Sequence, residues 1–171
     1  MQANTRKVAQ AIVLVAIGVA LSPFTSFPIG IAKVNPTQHF VNVMGAILLG
    51  PWWAATVAAI IGVIRNALGV GTLLAFPGGM IGAFLAGYVY RYGRNIYLAA
   101  VGEIVGTGII AALVSGWLIA PILMQKTMAM GVLIASFLGS TIVGSLIGLL
   151  GLRVLERTGY IELKKGSMTG A

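Results

Sequence analysis

The sequence predicts an all-α, polytopic membrane protein of six transmembrane helices with both termini cytoplasmic. Three observations carry this expectation. Hydrophobic residues make up 58% of the 171-residue chain and charged residues only 8%, where a soluble chain carries about a quarter charged residues. Mean hydropathy over the whole length is +1.00, so lipid rather than water solvates most of the surface. Six long apolar stretches fill the chain, punctuated by Pro, Gly and basic residues. A single integral membrane domain over residues 1–171 is expected.

A spanning helix needs about 20 predominantly apolar residues. The first covers residues 7–22. Arg6 and Lys7 ahead of an apolar run have the look of a secretory signal, but Pro23 directly after Ala20-Leu21-Ser22 disfavours cleavage, so the segment is kept as a helix. A loop rich in Pro, Phe and Ser follows over 23–36, and a short second helix over 37–50. Pro51, well tolerated at a first helical position, opens a third helix over 51–68. After Gly69-Val70-Gly71, Pro77 opens a fourth that ends near Tyr90. The fifth spans 96–120 and stops at Pro121, and the sixth spans 128–155.

The net charge of +8 does not point to nucleic acid, because the basic residues sit between apolar runs and at the C-terminus. With an even number of helices, one side holds Arg6, Lys7, Arg91, Arg94, Arg153, Arg157, Lys164 and Lys165, and the other only Lys33, Arg65 and Lys126. The positive-inside rule makes the first side cytoplasmic. Trp52, Trp53, Tyr88, Tyr90, Tyr92, Tyr97 and Tyr160 then fall near the inner interface, and Phe24, Phe27 and Trp117 near the outer one. The chain has no cysteine, which excludes disulfides, thiolate chemistry and Cys-based metal sites.

Small residues recur four apart along the helices: Ala16/Ala20, Ala54/Ala58/Gly62, Gly78/Gly82/Ala86, Gly102/Gly106 and Ser136/Ser140/Gly144/Gly148. Such faces let helix backbones approach closely in lipid. Internal packing accounts for most of them, and a docking face for another membrane subunit is the minority expectation.

The informative residues are the few polar ones in the apolar body. Gln38, His39 and Asn42 share one face of the second helix. Arg65 and Asn66 end the third at similar depth, and Trp117 lies near the outer end of the fifth. Glu103, with Thr107 one turn further out, lies nearer mid-membrane and is the only acid in the apolar body. An intramembrane ionisable group is expensive and by default functional, although a buried carboxyl bonded to a neighbouring helix is the structural alternative. Arg65 alone would be expected to snorkel to headgroups. His39, the only histidine, has no cysteine or nearby carboxylate in sequence and is expected to hydrogen-bond rather than bind metal. No serine stands in a G-x-S-x-G motif and no Walker A sequence occurs. Catalysis is not expected, no cofactor or metal is implied, and an intramembrane hydrolase using His39 is a remote alternative. A proton-coupled secondary carrier using Glu103 stays open, although no internal repeat of the carrier kind is evident.

The segments Asn35-Pro36-Thr37-Gln38-His39-Phe40-Val41-Asn42, Arg65-Asn66 and Phe76-Pro77-Gly78-Gly79-Met80, together with Ala16-x-x-x-Ala20, resemble the substrate-binding S components of energy-coupling factor (ECF) vitamin transporters. Within that group the chain is most similar to the ThiW family, assigned to the thiazole precursor of thiamine. The resemblance implies a multi-pass protein of a prokaryotic plasma membrane that captures 4-methyl-5-(2-hydroxyethyl)thiazole from outside for ATP-driven uptake. It implies partners as well, namely a membrane scaffold subunit met through Ala16 and Ala20, and two ATPase subunits. In that family the small subunit is thought to topple in the bilayer to release its cargo. The polar residues read above suit that ligand: His39, Asn42 or Asn66 would donate to the ring nitrogen, Glu103 accept from the hydroxyl and Trp117 stack on the ring, with Gln38 and Thr107 beside them, Arg65 more than the ligand demands, and residues 23–36 as a lid. Thiamine itself or a pyrimidine are the alternative cargoes.

Overall fold

A computed structural model describes residues 2–163; Lys164 and Lys165 of the inner basic set lie outside them. Helix α1 (Gln2–Thr25) runs through Pro23 and beyond its expected end. The proline falls in the last turn, where Ser22 and Thr25 hydroxyls bond back to the carbonyls of Gly18 and Leu21. The loop expected next holds a short β-hairpin, which the sequence reading did not foresee, in an otherwise helical chain. Strands β1 (Phe27–Ile29) and β2 (Ala32–Val34) pair antiparallel, Phe27 opposite Val34 and Ile29 opposite Ala32. Gly30 supplies the positive φ of 57° at the turn. β1 is exposed, whereas Ala32 and Val34 of β2 are buried.

Helix α2 (Pro36–Leu48) is the axis of the molecule. It touches α1, α3 (Pro51–Ala67), α4 (Ala75–Gly93), α5 (Ile96–Leu123) and α6 (Met130–Arg157). At 13 residues it is about 20 Å long, well under a bilayer core of about 30 Å, and its neighbours bury it from Thr37 through Ala46 on most faces. Gly50, with φ 95°, separates α2 from α3, a conformation that favours glycine. By length and composition α1 (from Thr5), α5 and α6 are able to cross a membrane; α2, α3 and α4 do not meet that measure.

Helix α5 departs from its expected form. Two stretches, Gly106–Ala111 and Ser115–Leu123, are wound as wider π turns. The second carries the helix past Pro121, with Met124 N–H bonding Ile119 O at 3.2 Å. A proline lacks the N–H that an α turn needs, and the i→i−5 bond closes the turn around it.

Small residues set the helix contacts. A Cβ on Gly106 would lie 2.9 Å from Gly82 Cα, and one on Gly144 2.1 Å from Pro36 O, so α4 meets α5 and α2 meets α6 almost backbone to backbone. The small-residue ladders of α3, α4, α5 and α6 are all buried. Ala16 and Ala20 alone among these ladders stay exposed.

These contacts predict different outcomes for two substitutions on one helix. Gly144→Ala forces a methyl into the Pro36 carbonyl and should destabilise the fold by about 1–3 kcal/mol. Gly139, whose added Cβ meets nothing within 4 Å, should gain about 0.5–1 kcal/mol as alanine. Thermal unfolding in detergent measures both, and equal effects would contradict the packing.

Candidate functional site

The site begins at the first turn of α2. Asn35 caps that helix, its Oδ1 accepting from Gln38 N–H at 3.1 Å, and Pro36 follows at the first helical position. Asn35 Nδ2 also donates to Ser22 Oγ at 3.1 Å and Ser26 Oγ at 2.9 Å, so one side chain ties the end of α1 and the root of the hairpin to α2. One turn further on, Gln38 Nε2 donates to Asn42 Oδ1 at 3.1 Å. Asn42 Nδ2 in turn donates to Gly79 O at 3.1 Å and Glu103 Oε1 at 3.0 Å.

Glu103 is the hub. Its side chain is 0% exposed, and its Oε1 lies 2.9 Å from His39 Nδ1 and 3.0 Å from Thr107 Oγ1. Thr107 Oγ1 also reaches Gly78 O at 2.8 Å. Thr107 stands in the first π stretch of α5, a distortion often found at functional sites. The second carboxyl oxygen, Oε2, has no hydrogen-bond partner and packs against Gly82, where an added Cβ would lie 2.4 Å away. Gly82 is thus required by the hub as well as by the helix crossing.

Glu103 Oε1 engages His39 through Nδ1, which leaves Nε2 as the ring nitrogen free of the pair, able to donate when it carries the ring hydrogen.

A pocket of about 370 Å³, its open mouth included, lies between the hub and the hairpin. Ala32, Lys33, Val34 and Asn35 cover it from the hairpin side, Gln38 and His39 come from α2, and Arg65 from α3. Thr72, Leu74, Ala75, Gly78 and Gly79 complete one wall, and Thr107, Phe137 and Ser140 the other. The hairpin is pinned at two points. Lys33 Nζ donates to Gly69 O, and Gly30 packs against Met128 of the α5–α6 connection.

Of the residues singled out in sequence, Gln38, His39, Arg65 and Thr107 line this pocket. Asn42 and Glu103 stand directly behind them, bonded to the lining but not part of it. Asn66 is placed elsewhere, its Nδ2 donating to Gly62 O and Thr72 O and holding the turn after α3. Trp117 is 70% exposed on the outside of α5, and the aromatic in the pocket wall is Phe137. Arg65 does not snorkel; it is 1% exposed. Sequence reasoning placed Asn35 and Lys33 only within the lid over 23–36 and gave no site role to Thr72, Phe137 or Ser140. The Asn-Pro pair at 35–36, an N-cap followed by an N1 proline, was the available signal for Asn35. Among the described residues no three of His, Asp and Glu gather as metal ligands do.

The hub predicts a graded response to substitution. Glu103→Ala removes the partner shared by His39, Asn42 and Thr107 and should destabilise by about 3–5 kcal/mol, the scale for breaking a buried charged pair. Glu103→Gln keeps an oxygen acceptor and should lose clearly less. Unfolding midpoints in detergent read the difference, and equal losses would remove Glu103 from the centre of the network.

Comparisons with known proteins fit this architecture. A search of curated proteins finds no match. The solved structure of the S component of a bacterial ECF transporter superposes with a TM-score of 0.76 at 17% identity, covering 92% of this chain and 99% of that one. At that identity the likeness is one of fold. A family model described as thiamine-precursor transporter protein (ThiW) matches residues 8–158. With most of its length matched, the chain belongs to the ThiW family of thiamine-precursor transporter proteins.

Proposed function

We propose that this chain is the membrane-embedded substrate-capture subunit of an ECF-type transporter and binds 4-methyl-5-(2-hydroxyethyl)thiazole beneath its hairpin. The observation that carries the reading is a mismatch in the pocket wall. Gln38 Oε1 is a buried acceptor without a donor, and His39 Nε2 is the ring nitrogen left over from the Glu103 pair. The thiazole supplies both complements, a hydroxyl to donate to Gln38 and a ring nitrogen to accept from His39, while Phe137 packs on the ring. Asn42, Glu103 and Thr107 hold those two side chains in position. A mostly apolar cavity with a few placed polar groups is the usual form of a small-ligand site.

In this reading α1–α6 all lie within the plasma membrane of a prokaryotic cell, the hairpin faces outside and both termini face the cytoplasm. The short α2, α3 and α4 are accommodated because protein shelters α2. Ala16 and Ala20 form the face for the scaffold subunit, which brings the two ATPases; their exposure, when every other small-residue ladder is buried, supports that assignment. A carrier working alone through Glu103 is less well supported, since that carboxyl is fully buried and already engaged. A hydrolase is less supported again. Ser140 Oγ, which lines the same pocket as His39, has no hydrogen-bond partner, so this serine is not paired with the base.

Mass spectrometry of small molecules released from the purified protein should recover the hydroxyethylthiazole; thiamine or a pyrimidine in its place would reassign the cargo. Uptake should fail on ATP depletion and survive collapse of the proton gradient, and the reverse pattern would sink the ECF reading. Phe137→Ala should weaken thiazole binding about tenfold or more, in line with about 1.5–3 kcal/mol for a buried aromatic or aliphatic contact, and Trp117→Ala should leave it unchanged.

A further inference from the structure

We infer that the mouth of this pocket is an oxyanion subsite, formed by Arg65 and Lys33, which takes a carboxylate or phosphate carried on the thiazole ligand. The inference rests on the proposed function and extends it from the ring to a charged substituent. Arg65 is 1% exposed and lines the pocket. A guanidinium offers five N–H donors. Here Nε has no partner, and the contacts of Nη2 are neutral and long, 3.3 Å to Ser26 Oγ and 3.5 Å to Val70 O. Lys33 lines the same mouth and its ammonium is met by a neutral carbonyl, that of Gly69.

Among the described residues no carboxylate is available to answer these two cations. The sequence has only three acidic residues against eleven Lys and Arg. Glu103 is held by His39, Asn42 and Thr107. Glu156 pairs with Arg153 at 2.7 Å, and Glu162 borders a cleft with Arg6 and Lys7. An unpaired buried guanidinium is strongly unfavourable, and a planar fork and an ammonium lining one pocket are suited to a carboxylate or phosphate. Gln38 and His39 would hold the ring inside, with a free hydroxyl left for Gln38 only in the carboxylate, while the oxyanion sits outermost under the hairpin.

The test titrates the purified full chain in detergent with 4-methyl-5-(2-hydroxyethyl)thiazole, its phosphate ester and its ring carboxylate. The same series is run on Arg65→Gln and Lys33→Gln. The wild type should bind at least one anionic derivative tenfold or more tighter than the neutral alcohol, and Arg65→Gln should abolish that preference. Which derivative wins tells carboxylate from phosphate. Should Arg65→Gln not fold, Lys33→Gln should still reduce the preference severalfold. Equal binding of neutral and anionic forms by the wild type, or an equal loss for all three in the variants, overturns the subsite and leaves the proposed function standing. A thermal shift with inorganic phosphate, absent with chloride at matched ionic strength and lost in the variants, reads the subsite without any thiazole. That shift with no thiazole binding would overturn the proposed function and retain the subsite.

Discussion

A fully buried carboxyl in an apolar bundle has neither water nor headgroups to solvate it, so protein must do so, and that requirement organises this molecule. Glu103 on α5 draws His39 and Asn42 from α2 and Thr107 from its own helix onto one oxygen. Asn42 and Thr107 then reach the carbonyls of Gly79 and Gly78 on α4. Three helices are thus registered to one another by directional bonds rather than by apolar contact, which in lipid carries little orientation of its own. The pocket wall inherits that register, because Gln38 and His39 are held from behind.

Close backbone approach is what makes the hub possible. Gly82 leaves room for Glu103 and for Gly106, and Gly144 brings α6 against Pro36 and His39. The short α2 is stable in this position because five other helices surround it. At its N-terminus Asn35 links the same core to the hairpin, so the cover of the pocket and its floor belong to one hydrogen-bonded system.

Much of this was legible in the sequence, because hydropathy and the Pro and Gly breaks mark helices strongly. Gly50-Pro51 divided α2 from α3, and the His39–Asn42 spacing put the polar residues on one face. The hairpin was hidden because each strand has only three residues, too few for an alternating pattern to register. Pro121 suggested a stop because α-helical bonding cannot pass a proline without loss, and nothing in the composition announces a π turn. That winding contributes to where residues of α5 point, and a straight α-helix drawn through Trp117 does not convey its exposure. Helical spacing gives the face of a residue but not its depth, so Glu103 was recognised as important without its place behind the lining being evident. Lys33, in an apparent loop, gave no signal of its own until the hairpin brought it to Arg65's side of the pocket.

The central claim is that the Glu103 hub makes His39 the donor that meets the ligand. The chain has one histidine, so ¹⁵N-imidazole NMR of the purified protein gives a spectrum of that residue alone. Nε2 should carry hydrogen in the complex with 4-methyl-5-(2-hydroxyethyl)thiazole, and its resonance should shift as that ligand is added. An Nε2 without hydrogen, or one unmoved at saturating ligand, would contradict the account.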